Sequence, residues 1–477
     1  MVFSSLLFIF IFLPVALSFF YTGTFFTRNN KNISCALLTF ISFSFYFWGS
    51  GKMLLLLIAS ILFNWFFGNK LLQSYSIAQK KILLIAGISI NLSALLYFKY
   101  CRFILDTLGL LAGTSLVPTL HPYLPVGISF YTFMTISYLV GVYRSQREQA
   151  SLLEFAAYLS LFPHLVAGPI VRFSEVAGDL RQQHSLTIDN FFAGIIRFTQ
   201  GLGMKVLIAD NLSPTVDRIF SLDQTVLNFG LSWFGALAYT FQIYFDFAGY
   251  SAMAIGLALM FGFHFPENFN RPYLAPSITE FWKRWHMSLS RWLRDYIYIP
   301  LGGNQKGNLR TYINLFSVFF ICGMWHGAAW TFIVWGLYQG LLLIVERFMK
   351  NNLGYKPSGI LGIMITFLLT IIGWVVFRSE SFAQCWYFLK AMFAFPREVT
   401  FASLPDQLSE LMEPLLIVSL GAAALLSFFP FEKITSKFQS DTMVFLLGKT
   451  MIAGATLFLV SLYAIGSSFK PFIYFRF

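Results

Sequence analysis

Apolar residues run in long blocks along this chain, with polar residues in short clusters between them. Blocks near 3–20, 33–48, 51–67, 82–98, 125–143, 226–246, 248–263, 311–346, 359–377, 413–429 and 447–466 approach the roughly 20 residues a helix needs to cross a bilayer. The block at 311–346 is long enough for two crossings, with a break at Gly323–Gly327. The pattern predicts about ten to twelve spans. Several blocks are short for a full crossing, and Gly or Pro interrupts others. Irregular backbone at membrane depth is tolerated only inside protein or against water, so tilted, broken and re-entrant helices around a cavity are expected. No internal repeat or soluble domain is visible, which makes 1–477 a single transmembrane domain with its core at 125–350. Val2–Phe20 has no basic residue before it, unlike a secretory signal. It reads as a retained first span, with its uncharged end outside and Arg28–Lys31 inside.

One stretch breaks this pattern. Ser277–Asn304 is too charged to cross a bilayer and too aromatic for an ordinary loop. Ser277 and Glu280 fit a capping box, and Pro300 with Gly302–Gly303 fits a helix stop. Between them Trp282, Trp285, Leu289, Trp292 and Tyr296 recur at steps of three and four, one helical face. His286 flanks that face. Arg284, Ser288, Arg291 and Asp295 form a second stripe in which Arg291 is placed to pair with Asp295. The expectation is one amphipathic helix. Seven Lys/Arg against two acidic residues across 271–310 place it on the cytoplasmic side. A helix lying on anionic lipid explains that charge without further function.

Composition narrows the class. The chain is 57% hydrophobic and 11% charged, whereas soluble domains carry about a quarter charged residues. The fold class is therefore an all-α polytopic membrane protein. The net charge of +12 fits cytoplasmic loops and anionic headgroups. The positive residues are scattered between apolar spans, which argues against nucleic acid. Cys35, Cys101, Cys322 and Cys385 form no disulfide framework and no CxxC pair.

Three polar features lie within apolar runs. In 162–172, Pro163 and Gly168–Pro169 suggest a re-entrant turn. His164 is more simply a satisfied buried histidine than a site residue, and Arg172 an anchor at the headgroups. In 239–251, Gln242, Asp246 and Ser251 interrupt a span. A carboxylate there costs about 2.5–3.5 kcal/mol on insertion scales. Asp246 thus needs a cation, an imidazole, or a structural bond to Tyr or Arg. The third feature is His326, between Gly323 and Gly327 in a long apolar run. A histidine is buried neutral at modest cost and still exchanges a proton near neutral pH. Cys322 and His326 stand at i, i+4, but no further ligands cluster with them, so no metal is predicted. PLGGNQKGN fits neither phosphate-loop pattern.

FWKRWHMSLSRWLRDYIYIPLGGN followed by MWHGAAWTFIVWGLYQG resembles the membrane-bound O-acyltransferase (MBOAT) family. Within it the chain is most similar to the bacterial branch typified by the alginate O-acetyltransferase membrane subunit, related to the D-alanyl transfer protein of teichoic acid modification. The likeness runs from GISFYTFMTISYLVGVYR through LFPHLVAGPIVR and YFDFAGYSAMAIG to the terminal FIYFRF. The resemblance implies a ring of tilted helices around a central funnel, with an active site reachable from both faces. It implies His326 as the catalytic residue and His286 as the second active-site position. On that footing Lys283, Arg284, Arg291 and Arg294 attract donor phosphates, while Trp282, Trp285 and Trp292 wall the donor channel. Asp246, Gln242 and Trp325 support the site. No permanently bound cofactor is expected. The donor is acetyl-CoA or an acyl carrier's phosphopantetheine thioester. The expected partners are a periplasmic or extracellular acyltransferase, a polysaccharide acceptor and membrane lipids, with the inner membrane as location. D-alanyl transfer, a glycan transporter or flippase, and an envelope scaffold are the alternatives.

Overall fold

A computed structural model describes residues 2–73, 76–113, 123–145, 149–182, 187–394, 413–429 and 443–466. It is 82% helical with no strand among the described residues, as the all-α reading requires. In chain order the helices are α1 (Leu13–Phe26), α2 (Lys31–Ser50), α3 (Leu54–Leu72), α4 (Ile77–Leu95), α5 (Cys101–Ala112), α6 (Ile128–Arg144), α7 (Leu152–Ser160), α8 (Phe162–Leu165), α9 (Phe173–Arg181) and α10 (Ile188–Gly203). They continue with α11 (Asp210–Phe220), α12 (Phe229–Met260), α13 (Ile278–Arg284), α14 (Met287–Leu293), α15 (Gly307–His326), α16 (Trp330–Leu353), α17 (Gly359–Arg378), α18 (Phe382–Phe393), α19 (Pro414–Phe428) and α20 (Met443–Gly466).

Eight helical stretches among the described residues are long and apolar enough to cross a membrane. One of them, Lys31–Leu72, contains both blocks expected at 33–48 and 51–67. The blocks at 226–246 and 248–263 are a single helix, α12, rather than two. Its polar residues Gln242, Asp246 and Ser251 are buried in protein, so they do not end it. Ile188–Phe220 is a stretch that the hydrophobic pattern missed, because Lys205 and Asp210 interrupt the apolar run. The 311–346 block does divide, between α15 and α16, at Gly327–Ala329. The terminal FIYFRF lies outside the described residues.

The chain packs as two units, Met1–Thr199 with Ser251–Glu267, and Gln200–Tyr250 with Asn268–Phe477. In the first, Phe8, Phe12, Phe45 and Phe162 pack ring against ring. Asn64 on α3 and Asn91 on α4 exchange amide hydrogen bonds of 2.7 and 3.1 Å. The 162–172 segment is one helical turn, α8, followed by irregular backbone, and it is buried. His164 Nε2 lies 2.8 Å from the Tyr158 carbonyl and its ring stacks on Phe265, while its Nδ1 is buried without a hydrogen-bond partner among the described residues, so the ring is only half satisfied.

In the second unit α15 and α16 cross closely. A Cβ on Gly323 would lie 2.4 Å from the Phe332 carbonyl, and one on Gly336 2.3 Å from that of Phe319. Glycine is therefore required at both positions for backbone to meet backbone. In the same unit α12 carries Asp246, whose partner is a lysine. Lys205 Nζ lies 2.7 Å from Asp246 and 2.6 Å from Asp210, with all three buried. Lys205 sits in a π-helical turn, Met204–Ala209, between α10 and α11.

Candidate active site

The site begins where the expected amphipathic helix fails to continue. Ser277 Oγ accepts from the Glu280 amide at 3.2 Å and starts α13 as predicted. The Glu346 carboxylate on α16 accepts from the Ile278 amide at 2.7 Å and fixes the same end. The helix then stops at Arg284, and His286 takes φ 42°, ψ 56° before α14 begins. A short π-helical turn, Arg294–Tyr298, follows α14. The single helix read from the sequence is thus corrected to two short helices hinged at the histidine. A non-glycine residue in the left-handed region costs about 1–3 kcal/mol and persists only where its surroundings impose it.

Asn268 imposes it. Its side-chain Oδ1 lies 3.0 Å from His286 Nδ1 and accepts from the Ser288 amide at 3.2 Å and Ser288 Oγ at 2.9 Å. Its backbone carbonyl accepts from the Met287 amide at 2.9 Å. One residue therefore binds the polar groups at the kink and in the two residues after it. His286 Nε2 is buried without a hydrogen-bond partner among the described residues.

His326 is the last residue of α15. Its ring packs edge-on against Trp325, Trp335 and Phe377 at centroid distances of 5.0, 5.0 and 5.3 Å. The His286 ring meets the same Trp325 at 6.0 Å and Phe247 of α12 at 4.7 Å. Both imidazoles thus share one indole. Both rings are buried, His286 at 0% and His326 at 4% exposure.

The remaining predicted residues divide into two groups. Trp282 and Trp285 join the aromatic packing: Trp282 Nε1 donates to Gln339 Oε1 at 3.3 Å and its ring meets Trp335, while Trp285 packs on Trp374. Trp292 is buried against Tyr296. Lys283 and Arg294 project outward, 3.8 Å from Glu280 and 2.7 Å from Asp295 respectively. Asp295 thus pairs with its chain neighbour Arg294. Arg284 and Arg291 are half-buried. Gln242 Oε1 and Trp335 Nε1 are buried without partners among the described residues. No group of three metal-binding side chains occurs among the described residues.

Asn268, Ser288, Phe247, Trp335, Phe377 and Lys205 were missed by the sequence reading. Ser288 was placed on a polar stripe without a role. Asn268 gives no local signal, since its importance depends on a fold that returns it to a residue 18 positions away.

Residues 75–386 match the model of the MBOAT, membrane-bound O-acyltransferase family. A Pseudomonas aeruginosa protein named probable alginate O-acetylase AlgI is 45% identical over 400 residues, covering 83% of this chain and 75% of that one. The Pseudomonas putida protein of the same name is 40% identical over the full length of both. A Helicobacter pylori peptidoglycan O-acetyltransferase is 36% identical, covering 100% of this chain and 98% of the other.

Proposed function

The chain belongs to the membrane-bound O-acyltransferase family, and from that premise we propose that it carries acetyl groups from a cytoplasmic thioester toward hydroxyls of a secreted or cell-envelope polysaccharide. It is a multi-pass membrane enzyme of the O-acyltransferase class. Relatives named for alginate and peptidoglycan acetylation support acetyl as the group and a polysaccharide as the destination. In this reading the enzyme sits in the inner membrane and passes the group to an acyltransferase on the outer side.

The observation that carries the reading is the pair of buried imidazoles sharing Trp325. Acyl transfer to a hydroxyl needs a group that takes a proton and gives it back, a role worth about 10²–10⁴-fold. His326 fills that role or carries the acyl group briefly as nucleophile, and His286 assists at the acyl carbonyl or orients the donor. The indoles of Trp282, Trp325 and Trp335 keep water from the thioester. Arg284 and Arg291, with Lys283 and Arg294, draw the phosphates of acetyl-CoA or of a carrier's phosphopantetheine to this face. The test is transfer in membrane vesicles at matched protein level. His326→Ala is expected to lower it by about 10²-fold or more; wild-type transfer from that variant would remove His326 from the chemistry.

A further inference from the structure

A neutral imidazole carries its proton on one nitrogen only. In His286 the surroundings determine which. The Ser288 amide lies 3.2 Å from Asn268 Oδ1, and a backbone N–H can only donate, so the Asn268 atom facing it is the oxygen. That oxygen also accepts from Ser288 Oγ. Since an amide oxygen only accepts, the His286 nitrogen 3.0 Å from it, Nδ1, is the one bearing hydrogen. Nε2 is left with a bare lone pair, buried and without a partner among the described residues.

We propose, resting on the acyl-transfer reading above, that Asn268 is a positioning residue that fixes His286 as the proton acceptor for the incoming hydroxyl. The hydroxyl gives its proton to Nε2 and its oxygen bonds to the acyl carbon. The bond from that carbon to the thioester sulfur breaks, and the imidazolium returns the proton to the leaving thiolate. Asn268 Oδ1 keeps its hydrogen bond to Nδ1–H throughout, so the charged ring is held where the neutral ring stood. In this tautomer neutral His286 has no N–H at Nε2 with which to polarise a carbonyl, so within the acyl-transfer reading the base is His286 rather than His326, and this replaces the carbonyl-assisting role given to His286 above. His326, across Trp325, is left to hold the thioester's acyl group in place for that attack. The ring is packed by Phe247 from α12, Trp325 from α15, Ser288 from α14 and Asn268 itself. None of these is charged, and His326 beyond Trp325 is the titratable group in that shell.

The decisive experiment uses the full-length protein with ¹⁵N-labelled histidine in lipid bilayers. The His286 resonances, assigned by their loss in His286→Asn, are expected to show hydrogen on Nδ1 and a bare Nε2. Asn268→Leu keeps the size and removes the acceptor, and the preference should disappear. In transfer assays Asn268→Leu should lower kcat about tenfold or more, as expected for a base held in the wrong tautomer. Asn268→Asp keeps the acceptor and adds a negative charge that favours the imidazolium. It should therefore retain turnover, with the acid limb of the kcat profile moved up by about one pH unit or more. A hydrogen on Nε2 in the wild type, or an Asn268→Asp profile that superimposes on the wild type, overturns the proposal. Absence of acyl transfer by the wild-type protein would instead overturn the functional reading, while the resonances still decide the tautomer.

Discussion

Two buried asparagine networks in this protein look alike and differ in one respect. In the first unit Asn64 and Asn91 satisfy each other across α3 and α4. Thr135 of α6 donates to Asn91 Oδ1 at 3.2 Å, and Asn91 Nδ2 also reaches the Gly87 carbonyl at 2.8 Å. That network closes on itself. In the second unit Asn268 gathers His286, Met287 and Ser288 just as fully, yet His286 Nε2 is left without a partner among the described residues. A buried polar atom without a partner costs about 1–3 kcal/mol. Such an atom persists where another requirement holds it. Under the acyl-transfer reading proposed above, the closed network is scaffold and the open one belongs to the site.

The largest contrast between them should come from His286→Asn. Asparagine tolerates the left-handed conformation better than most residues, so the kink at φ 42° is kept. An amide cannot accept a proton at neutral pH, so acyl transfer should fall by about 10²–10⁴-fold. Thermal stability in detergent should barely change. A variant that unfolds instead would mean that the open network is structural after all, and the contrast would collapse.

Lys205 belongs to neither type, and testing it sharpens the distinction. It is fully partnered, by Asp210 and Asp246, but with charges rather than dipoles. Lys205→Met leaves both carboxylates buried without their cation, a loss expected to cost about 3–5 kcal/mol. The measurement is thermal unfolding in detergent. Adding Asp210→Asn and Asp246→Asn to Lys205→Met should recover part of that loss, because the stranded charges are gone. If the triple variant is no more stable than the single one, charge is not what the cluster balances.

The legible and hidden parts of this molecule divide along a physical line. Helices declared themselves through apolar runs, and Ser277 announced the start of α13 because capping is a local interaction. The two Trp-flanked histidines were visible for the same reason: they are exceptions to their own neighbourhoods. The break at His286 was not visible. Trp282, Trp285, Leu289, Trp292 and Tyr296 keep helical spacing whether or not the helix is interrupted between them. What bends the chain there is Asn268, whose partner is chosen by the fold. The Ile188–Phe220 stretch stayed hidden because Lys205 and Asp210 read as surface charges until Asp246 is seen beside them. Helix starts capped by their own residues follow local rules, whereas buried polar pairing, and the break at His286 that goes with it, is a property of the folded chain.

The smallest expected effect returns to the closed network. Asn91→Leu removes the partner of Asn64 and of Thr135 while keeping bulk between α3, α4 and α6. In water the two orphaned groups would set the cost near about 3 kcal/mol. Within a membrane the separated helices also find alternative partners, and hydrogen bonds between helices average about 0.6 kcal/mol. Asn64 and Asn91 lie on Lys31–Leu72 and Ile77–Ala112, both apolar enough to cross a membrane, so the second figure governs. Asn91→Leu should therefore lower stability by about 1 kcal/mol and leave transfer per folded molecule unchanged. The Asn64→Leu/Asn91→Leu pair should lose less than the two single changes together, because the second substitution removes the atom that the first one stranded. A fall in turnover without a fall in stability would place this network among the functional ones, and closure would no longer separate scaffold from site.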